Sequence, residues 1–245
     1  MTAGIDPAIA SVIGGRTLEL FENTPRLNEW LYSKLAAGVR GDVLEIGSGI
    51  GNLSRLILDA ADRIVLSDME PHYLRALQET YRADARVEVI QYDLGRPPPD
   101  EIAQRRFDAI VAVNVIEHIR DDVSLVQHLA GLLKPGGSLL VYVPACPFAY
   151  GSLDVALGHF RRYTPTSLAT LMQRADLTPE RPRYVNLLGL IGWCWNGRAL
   201  RRAQISPAQV GVFERLLPLV RLEDRVRLPI GLGVYTRARK HLAGG

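Results

Sequence analysis

The chain has 245 residues, a formal net charge of +3 and 47% hydrophobic residues, a composition that excludes disordered and collagen-like proteins. Its two cysteines, Cys146 and Cys194, exclude a disulfide framework and lack metal-ligand spacing such as C-x-x-C. The N-terminus has no basic stretch followed by a long apolar one, so we expect no signal peptide and a cytoplasmic protein. Residues 180–245 hold 12 Lys and Arg against 4 Asp and Glu. This basic third could meet nucleic acid, anionic lipid or a phosphorylated substrate, or be a solvated surface.

The first predicted element is a helix over residues 18–35. Leu27, Leu31 and Leu35 recur at helical spacing together with Trp30. Pro25 suits a position near the start of that helix.

A glycine-rich turn follows the first predicted strand. The apolar run at residues 43–46 predicts a buried strand, and it breaks into Gly47, Gly49 and Gly51 before a helix-like pattern. Glycines at such a turn let the backbone bend sharply and approach a ligand, while the next helix offers its N-terminal amides. A dinucleotide fingerprint would need its third glycine at position 52, which is Asn52. The spacing therefore argues against NAD.

Four more strand patterns alternate with helix patterns along the next hundred residues. These predicted strands span residues 63–67, 87–92, 107–113 and 139–143. Asp68 closes the second strand, about 20 residues past the glycines, where a carboxylate can accept hydrogen bonds from both hydroxyls of a ribose. That single feature fits NAD as well as other ribose-containing cofactors.

Taken together, the pattern E-x-G-x-G-x-G that begins at Glu45 and the strand ends after it resemble the class I S-adenosylmethionine (SAM)-dependent methyltransferases, from about Val43 to Val143. The resemblance implies a Rossmann-like α/β fold, whose seven-stranded, mostly parallel sheet has an antiparallel last strand. It also implies SAM as cofactor and S-adenosylhomocysteine (SAH) as product. In that family the glycine loop wraps the methionine end of SAM, and the end of the third strand contacts adenine. The cofactor-binding residues so implied are Glu45, Gly47, Ser48, Gly49, Gly51, Asp68, Met69, Asp93, Leu94 and Asn114.

We expect one domain over residues 1–245, with an N-terminal helix and a helical insertion before the last strand. Its predicted parts are an N-terminal helical cap at 1–40, a SAM-binding core at 41–143, an acceptor-side loop, helix and strand at 144–186, a helical insertion at 187–228, and the last strand and tail at 229–245. The sixth and seventh strands are predicted at residues 183–188 and 232–238, and a helix at 166–175.

The acceptor pocket should lie over the carboxyl ends of the strands, roofed by sequence outside the shared core. Methyl transfer is an in-line displacement, so the enzyme must align the two reactants and remove a proton from the acceptor. His159, after the fifth strand, is a candidate general base, with Glu117 or a backbone carbonyl fixing its tautomer. The candidate substrate-binding residues around it are Tyr150, Phe160, Arg161, Arg162 and Tyr163. A structural loop histidine, and arginines that fasten this loop to acidic residues, are the alternatives.

Glu117 and His118 are further catalytic candidates, because they follow the fourth strand close to where a transferable methyl would lie. Small-RNA 2′-O-methyltransferases and ubiquinone-pathway O-methyltransferases place a second carboxylate three residues earlier and bind a divalent cation. That position is Asn114 here, a weaker neutral ligand. We therefore favour a metal-free base over a metal held by Glu117, His118 and His159.

The predicted function is methyl transfer to a small-molecule acceptor, most consistently a hydroxyl of a sugar or secondary metabolite. The alternatives are a nucleic-acid methyltransferase, an N- or C-methyltransferase, and a non-catalytic SAM-binding regulatory or partner subunit. Nucleic acid is disfavoured because no aromatic-basic platform for single strands is visible. Residues 187–202 join an apolar run, too short to cross a bilayer, to several arginines. This segment could be an internal cap, a homodimer surface or a peripheral membrane contact.

Overall fold

An eight-stranded sheet organises residues 24–242, the part of the chain that the computed structural model describes. The strands are β1 Asp42–Ile46, β2 Arg63–Asp68, β3 Val87–Gln91, β4 Phe107–Val113, β5 Leu133–Pro144, β6 Leu177–Pro179, β7 Arg183–Val185 and β8 Gly233–Lys240. Their order is β3-β2-β1-β4-β5-β8-β6, with β7 also paired to β8. Strands β1 to β5 pair in parallel, and β8 is antiparallel to all of its neighbours. The predicted Rossmann-like fold is confirmed.

Helices cover both faces of this sheet. They are α1 Pro25–Ser33, α2 Ser54–Leu58, α3 Pro71–Tyr81, α4 Asp100–Ala103, α5 Asp122–Leu132, α6 Ser152–Leu157, α7 Pro165–Gln173, α8 Leu187–Cys194 and α9 Pro207–Glu223. Strands covered on both faces are apolar along their whole length. In β1, Val43 joins one buried apolar cluster while Leu44 and Ile46 join the other. The core therefore consists of two layers separated by the sheet.

The edge of the sheet beyond β8 differs from the prediction of a single sixth strand over residues 183–188. Two short strands, β6 and β7, pair with successive parts of β8. Pro179 and Pro182 lie in or between them, and proline cannot donate to a strand ladder, which confines it to such edges. The strand also ends at Val185 and not at residue 188. Asn186 has a φ of 66° and caps α8, because its side chain accepts a hydrogen bond from Gly189 N at 2.7 Å.

The helical elements agree with the sequence in position. The N-terminal helix predicted over residues 18–35 is α1, and residues 18–23 of that prediction lie outside the described residues. Trp30 of α1 is 2% exposed and packs with Leu217 and Val220 of α9, so the helical insertion closes over the N-terminal helix. Within residues 24–242, no helix combines the length and the apolar character needed to span a bilayer.

Candidate functional site

The glycine loop between β1 and α2 lies against the segment that follows β4. Gly47, Gly49 and Gly51 have φ values of 63°, 54° and 88°, a region that side chains disfavour. A Cβ atom on Gly47 would lie 2.5 Å from Cγ2 of Val115. The glycines therefore permit both the turn and its close packing against the loop that carries Glu117.

Asp68 ends β2 directly beside this loop. Its Oδ2 atom accepts a hydrogen bond from Gly49 N at 2.9 Å, and its Oδ1 atom accepts one from Glu70 N at 3.0 Å. Burial raises the pKa of Asp68, and the backbone hydrogen bonds oppose that rise. A carboxylate offers about four lone-pair positions, so the backbone hydrogen bonds leave acceptor capacity for a ligand hydroxyl. Next to it, the side chain of Met69 is 55% exposed and offers an apolar surface.

Glu45 lies beneath the glycine loop and is only 5% exposed. Its Oε2 atom accepts a hydrogen bond from Ser54 Oγ at 2.6 Å, and Ser48 Oγ donates to its backbone carbonyl. Burial raises the pKa of Glu45 to about 7 despite the serine hydrogen bonds. Its carboxyl group is thus used to brace the loop from inside.

The ends of β3 and β4 complete the edge. Asp93 is exposed, with Oδ1 accepting from Gly95 N at 2.9 Å, and Leu94 beside it is partly buried. Asn114 is exposed at the end of β4 with a φ of 53°, and its N–H donates to Tyr142 O at 2.8 Å. An open depression of about 510 Å³ beside Asp93 is lined by Met69, Gln91, Asp93, Arg96, Pro99 and Glu101.

His159 lies near Glu117 and His118, as the sequence predicts. Its Nε2 atom is 3.9 Å from Glu117 Oε1, and its ring centre is 4.8 Å from that of His118. Its Nδ1 atom is 2.9 Å from Asp154 Oδ1. A buried carboxylate accepts there, so the hydrogen-bond network assigns the proton to Nδ1 and leaves the Nε2 lone pair facing Glu117. The partner that fixes the tautomer is therefore Asp154, and the expectation that Glu117 or a backbone carbonyl does so is wrong.

Asp154 is fully buried and accepts hydrogen bonds from three elements. Besides His159, the donors are Arg162 Nε at 2.7 Å, Gly151 N at 3.0 Å and Trp193 Nε1 at 3.2 Å. Burial acts to raise the pKa of Asp154, but the hydrogen bond from His159 and the charge of Arg162 outweigh it and hold that pKa low. Sequence analysis missed this role. The available signal was an acidic residue in the first turn of a short helix, five positions before His159.

Glu117 is the opposite case of a buried carboxyl group. It is 0% exposed, and neither side-chain oxygen has a hydrogen-bond partner. Burial raises its pKa to about 7, against the opposing charge of His159. Its backbone carbonyl accepts from Phe160 N at 2.8 Å, which fastens the His159 loop to the end of β4.

The five predicted substrate-binding residues divide into two groups. Tyr150 and Phe160 are 37% and 45% exposed and flank His159, with Tyr150 Oη donating to His159 O at 2.7 Å. Arg161 pairs with Asp122 at 2.7 Å. The other two are buried.

Arg162 and Tyr163 hold the loop from inside. Arg162 is 5% exposed and donates to Asp154 and to Ala145 O, at 2.8 Å for the latter. Tyr163 Oη donates to Asp122 Oδ2 at 2.8 Å. The alternative of arginines that fasten the loop to acidic residues describes both arginines, with Arg161 on Asp122 and Arg162 on Asp154. The expectation that Arg162 and Tyr163 face a substrate is wrong because both side chains are buried.

Glu117, His118 and His159 also form a group that could hold a cation. One ligand atom from each lies within 4.8 Å of the others. An oxygen and two imidazole nitrogens would leave further coordination positions open for water or an acceptor oxygen.

Comparison with known proteins bears on this site. The family model described as "Methyltransferase domain" matches residues 17–181. A ubiquinone biosynthesis O-methyltransferase of Xanthomonas campestris pv. campestris is 29% identical over 175 residues, which cover 64% of this chain and 69% of that protein. A probable S-adenosylmethionine-dependent methyltransferase of Mycolicibacterium smegmatis is 31% identical over 159 residues, which cover 63% of this chain and 59% of that protein.

Solved structures share the fold at low identity. A DhpI–SAH complex has a TM-score of 0.59 and 18% identity, with 98% of this chain and 99% of that chain covered. The N-methyltransferase NodS from Bradyrhizobium japonicum, in complex with SAH, has a TM-score of 0.53 and 15% identity, with 88% and 85% covered. At these identities the likeness establishes the fold alone.

Proposed function

The chain belongs to the methyltransferase-domain family and is a SAM-dependent methyltransferase, and on that premise we propose that it methylates a hydroxyl group of a small molecule. The observation that carries the proposal is the Asp154–His159 pair next to Glu117, because a hydroxyl acceptor needs a base where the methyl arrives. The sequence similarity of this chain to a ubiquinone biosynthesis O-methyltransferase supports the same acceptor class.

We propose that the carboxyl edge of β1 to β4 holds the cofactor. The residues present suit SAM: Asp68 keeps acceptor capacity for the ribose hydroxyls beside its backbone hydrogen bonds, and exposed Met69 offers an apolar surface for the adenine. We assign the glycine loop, together with Ser48 and Asn114, to the methionine end of SAM. Asp93 and Leu94 are assigned to the adenine amino group. Glu45 supports this loop from below through Ser54.

When bound, SAM would supply an electrophilic methyl group from its sulfonium, and the demethylated cofactor would be released as SAH. Nε2 of His159 would take the proton of the acceptor's hydroxyl group. Asp154 keeps the proton on Nδ1 and stabilises the imidazolium that forms, as a buried carboxylate does for histidine bases elsewhere. Tyr150, Phe160 and His118 flank the acceptor, while the fully buried Glu117 lies next to His159.

The decisive experiment compares wild type with His159→Ala in two measurements. We expect turnover to fall about 10²–10⁴-fold, while calorimetric SAM affinity stays unchanged. Candidate acceptors come from a metabolite screen read by the mass gained on methylation. Near-wild-type turnover in the variant would rule out His159 as the base.

A metal-assisted reaction is separated by chelation. Full activity in EDTA supports the metal-free base, whereas loss in EDTA and recovery with Mg²⁺ would place a cation on Glu117, His118 and His159, where it would acidify the acceptor hydroxyl. Methylation at nitrogen or carbon in the product would overturn the hydroxyl assignment. Failure to bind either SAM or SAH would contradict the cofactor site itself.

A further inference from the structure

Exposed apolar side chains concentrate in the helical insertion. Of the thirteen large hydrophobic side chains exposed among residues 24–242, eight fall between residues 191 and 230. We call these eight the outer face: Ile191, Trp195, Leu200, Val212, Leu219, Leu222, Val226 and Ile230. A group of this size, which no packing within the described chain covers, marks an interaction surface and not scattered exposure.

Two antiparallel helices carry four of these eight side chains, Ile191 on α8 and Val212, Leu219 and Leu222 on α9. Leu187 N at the start of α8 donates to Glu223 at the end of α9, at 2.9 Å, and Gln209 near the start of α9 donates to Asn196 at 2.8 Å. The pair is therefore fastened at both ends. Ile191 on α8 and Trp195, at the start of the π-helical turn that continues α8, are four residues apart and lie on the same side. The exposed apolar residues of α9 likewise share one side of that helix.

The acidic and basic residues of the insertion differ in their partners. Its three acidic residues all accept hydrogen bonds within the protein: Glu214 from Leu27 N at 3.1 Å, Glu223 from Leu187 N, and the exposed Asp224 from Trp30 Nε1 at 3.2 Å. All seven of its arginines are exposed, namely Arg198, Arg201, Arg202, Arg215, Arg221, Arg225 and Arg227. The exposed surface of the insertion is thus apolar and mainly positively charged, although Arg221 pairs with Glu29 at 3.6 Å and Asp224 is exposed.

We propose that the outer face docks on an anionic lipid membrane. Exposed tryptophan and aliphatic groups insert at the headgroup boundary, while arginines attract the anionic headgroups. A second copy of the chain suits the face less well, because a two-fold interface would set the same arginines of both copies against each other. The exposed side chains of Trp195 and Arg201 are thus membrane contacts that have no part in the proposed chemistry.

The test is flotation of the full chain with vesicles of phosphatidylcholine alone or mixed with phosphatidylglycerol. We expect binding to the anionic vesicles only, weakening as salt rises. Arg201→Gln and Arg225→Gln should each lower the partition coefficient about fivefold, and Trp195→Ala on the order of tenfold. Arg82→Gln and Leu242→Ala are matched controls, since these side chains are also exposed but lie outside the insertion, and they should bind like wild type.

Tryptophan fluorescence gives an independent measure of the same contact. Trp30 is 2% exposed and Trp193 is held by its hydrogen bond to the buried Asp154, whereas Trp195 is 61% exposed. A vesicle-induced blue shift should therefore be largely lost in Trp195→Phe. No binding to anionic vesicles at low salt would overturn the proposal. Equal losses in the control variants would overturn it too, and so would a stable dimer in which Trp195 is already protected from a soluble quencher.

Discussion

The cofactor side and the acceptor side of the candidate site are each stabilised by hydrogen bonds, but these bonds join residues at different separations along the sequence. On the cofactor side, Ser54 reaches Glu45 across 9 residues and Gly49 reaches Asp68 across 19. On the acceptor side, Trp193 reaches Asp154 across 39 residues and Ser152 reaches the Gly197 carbonyl across 45. The first side is therefore built by one strand-turn-helix unit and its neighbour. The second exists only after the insertion has packed onto the loop after β5.

The three buried carboxyl groups of the site differ in their hydrogen-bond partners, and two of them lie on the same side. Glu45 receives a serine hydroxyl, and Asp154 is met by His159 and the guanidinium of Arg162. Glu117 has no hydrogen-bond partner for either oxygen. A buried carboxyl group with cationic partners stays ionised, and one without them is pushed towards the neutral form. The cost of changing each group should differ accordingly.

Asp154→Asn should produce the largest loss of stability. Breaking a buried pair leaves an uncompensated charge on Arg162, which typically costs about 3–5 kcal/mol. The amide also offers an NH₂ group where Arg162, His159 and Trp193 all donate. Urea unfolding measures the change, and ¹⁵N shifts of the His159 ring report loss of the Nδ1–H tautomer.

Glu79→Gln serves as the matched control for Asp154→Asn. It removes the carboxylate of an exposed pair with Arg82, whose side chains are both 74% exposed, and should cost less than about 1 kcal/mol. If Asp154→Asn were as mild as this control, or left the His159 tautomer unchanged, the assignment of Asp154 as the positioning residue would be wrong.

The pKa of Glu117 predicts a second, pH-dependent effect. The folded protein holds the proton up to pH 7 or so, whereas the unfolded chain releases it near pH 4.5. As pH rises between these values, wild type should therefore lose about 3 kcal/mol more stability than Glu117→Gln, while the loss that comes from Glu45 is common to both proteins. Thermal unfolding at pH 5 and pH 8 tests this. A difference between the two proteins that stays constant with pH would show that Glu117 is not held neutral.

The same difference in range explains what the sequence could predict. The glycine loop and Asp68 belong to one contiguous pattern, so their meeting at the carboxyl edge followed from strand order alone. His159 near Glu117 was also predicted, because both follow adjacent strands β4 and β5. The role of Asp154 was not, since three of its donors come from a loop and from α8, and the pairing depends on tertiary packing.

On the cofactor side, Asp68→Ala should weaken SAM binding by about 2 kcal/mol, because the ribose loses charge-assisted acceptors. Calorimetry with SAM and SAH measures this, and turnover at saturating SAM should change much less. Asp62→Ala, an exposed position before β2, is the matched control and should bind like wild type. Unchanged SAM affinity in Asp68→Ala would remove this residue from the proposed site.

Ser54→Ala should give the smallest effect, about 1–2 kcal/mol of stability, because Glu45 loses a hydrogen bond while staying buried. The hydrogen bond from the Ser54 hydroxyl lowers the pKa of Glu45, so without that bond the pKa should rise above its value of about 7. The loss should therefore be larger at pH 8.5, where wild-type Glu45 is ionised, than at pH 5.5, where it is protonated in both proteins. A double-mutant cycle with Glu45→Gln isolates the pair, and its coupling energy should shrink as pH falls. Equal losses at both pH values would mean that Ser54 contributes through packing and not through the carboxyl group beneath the glycine loop.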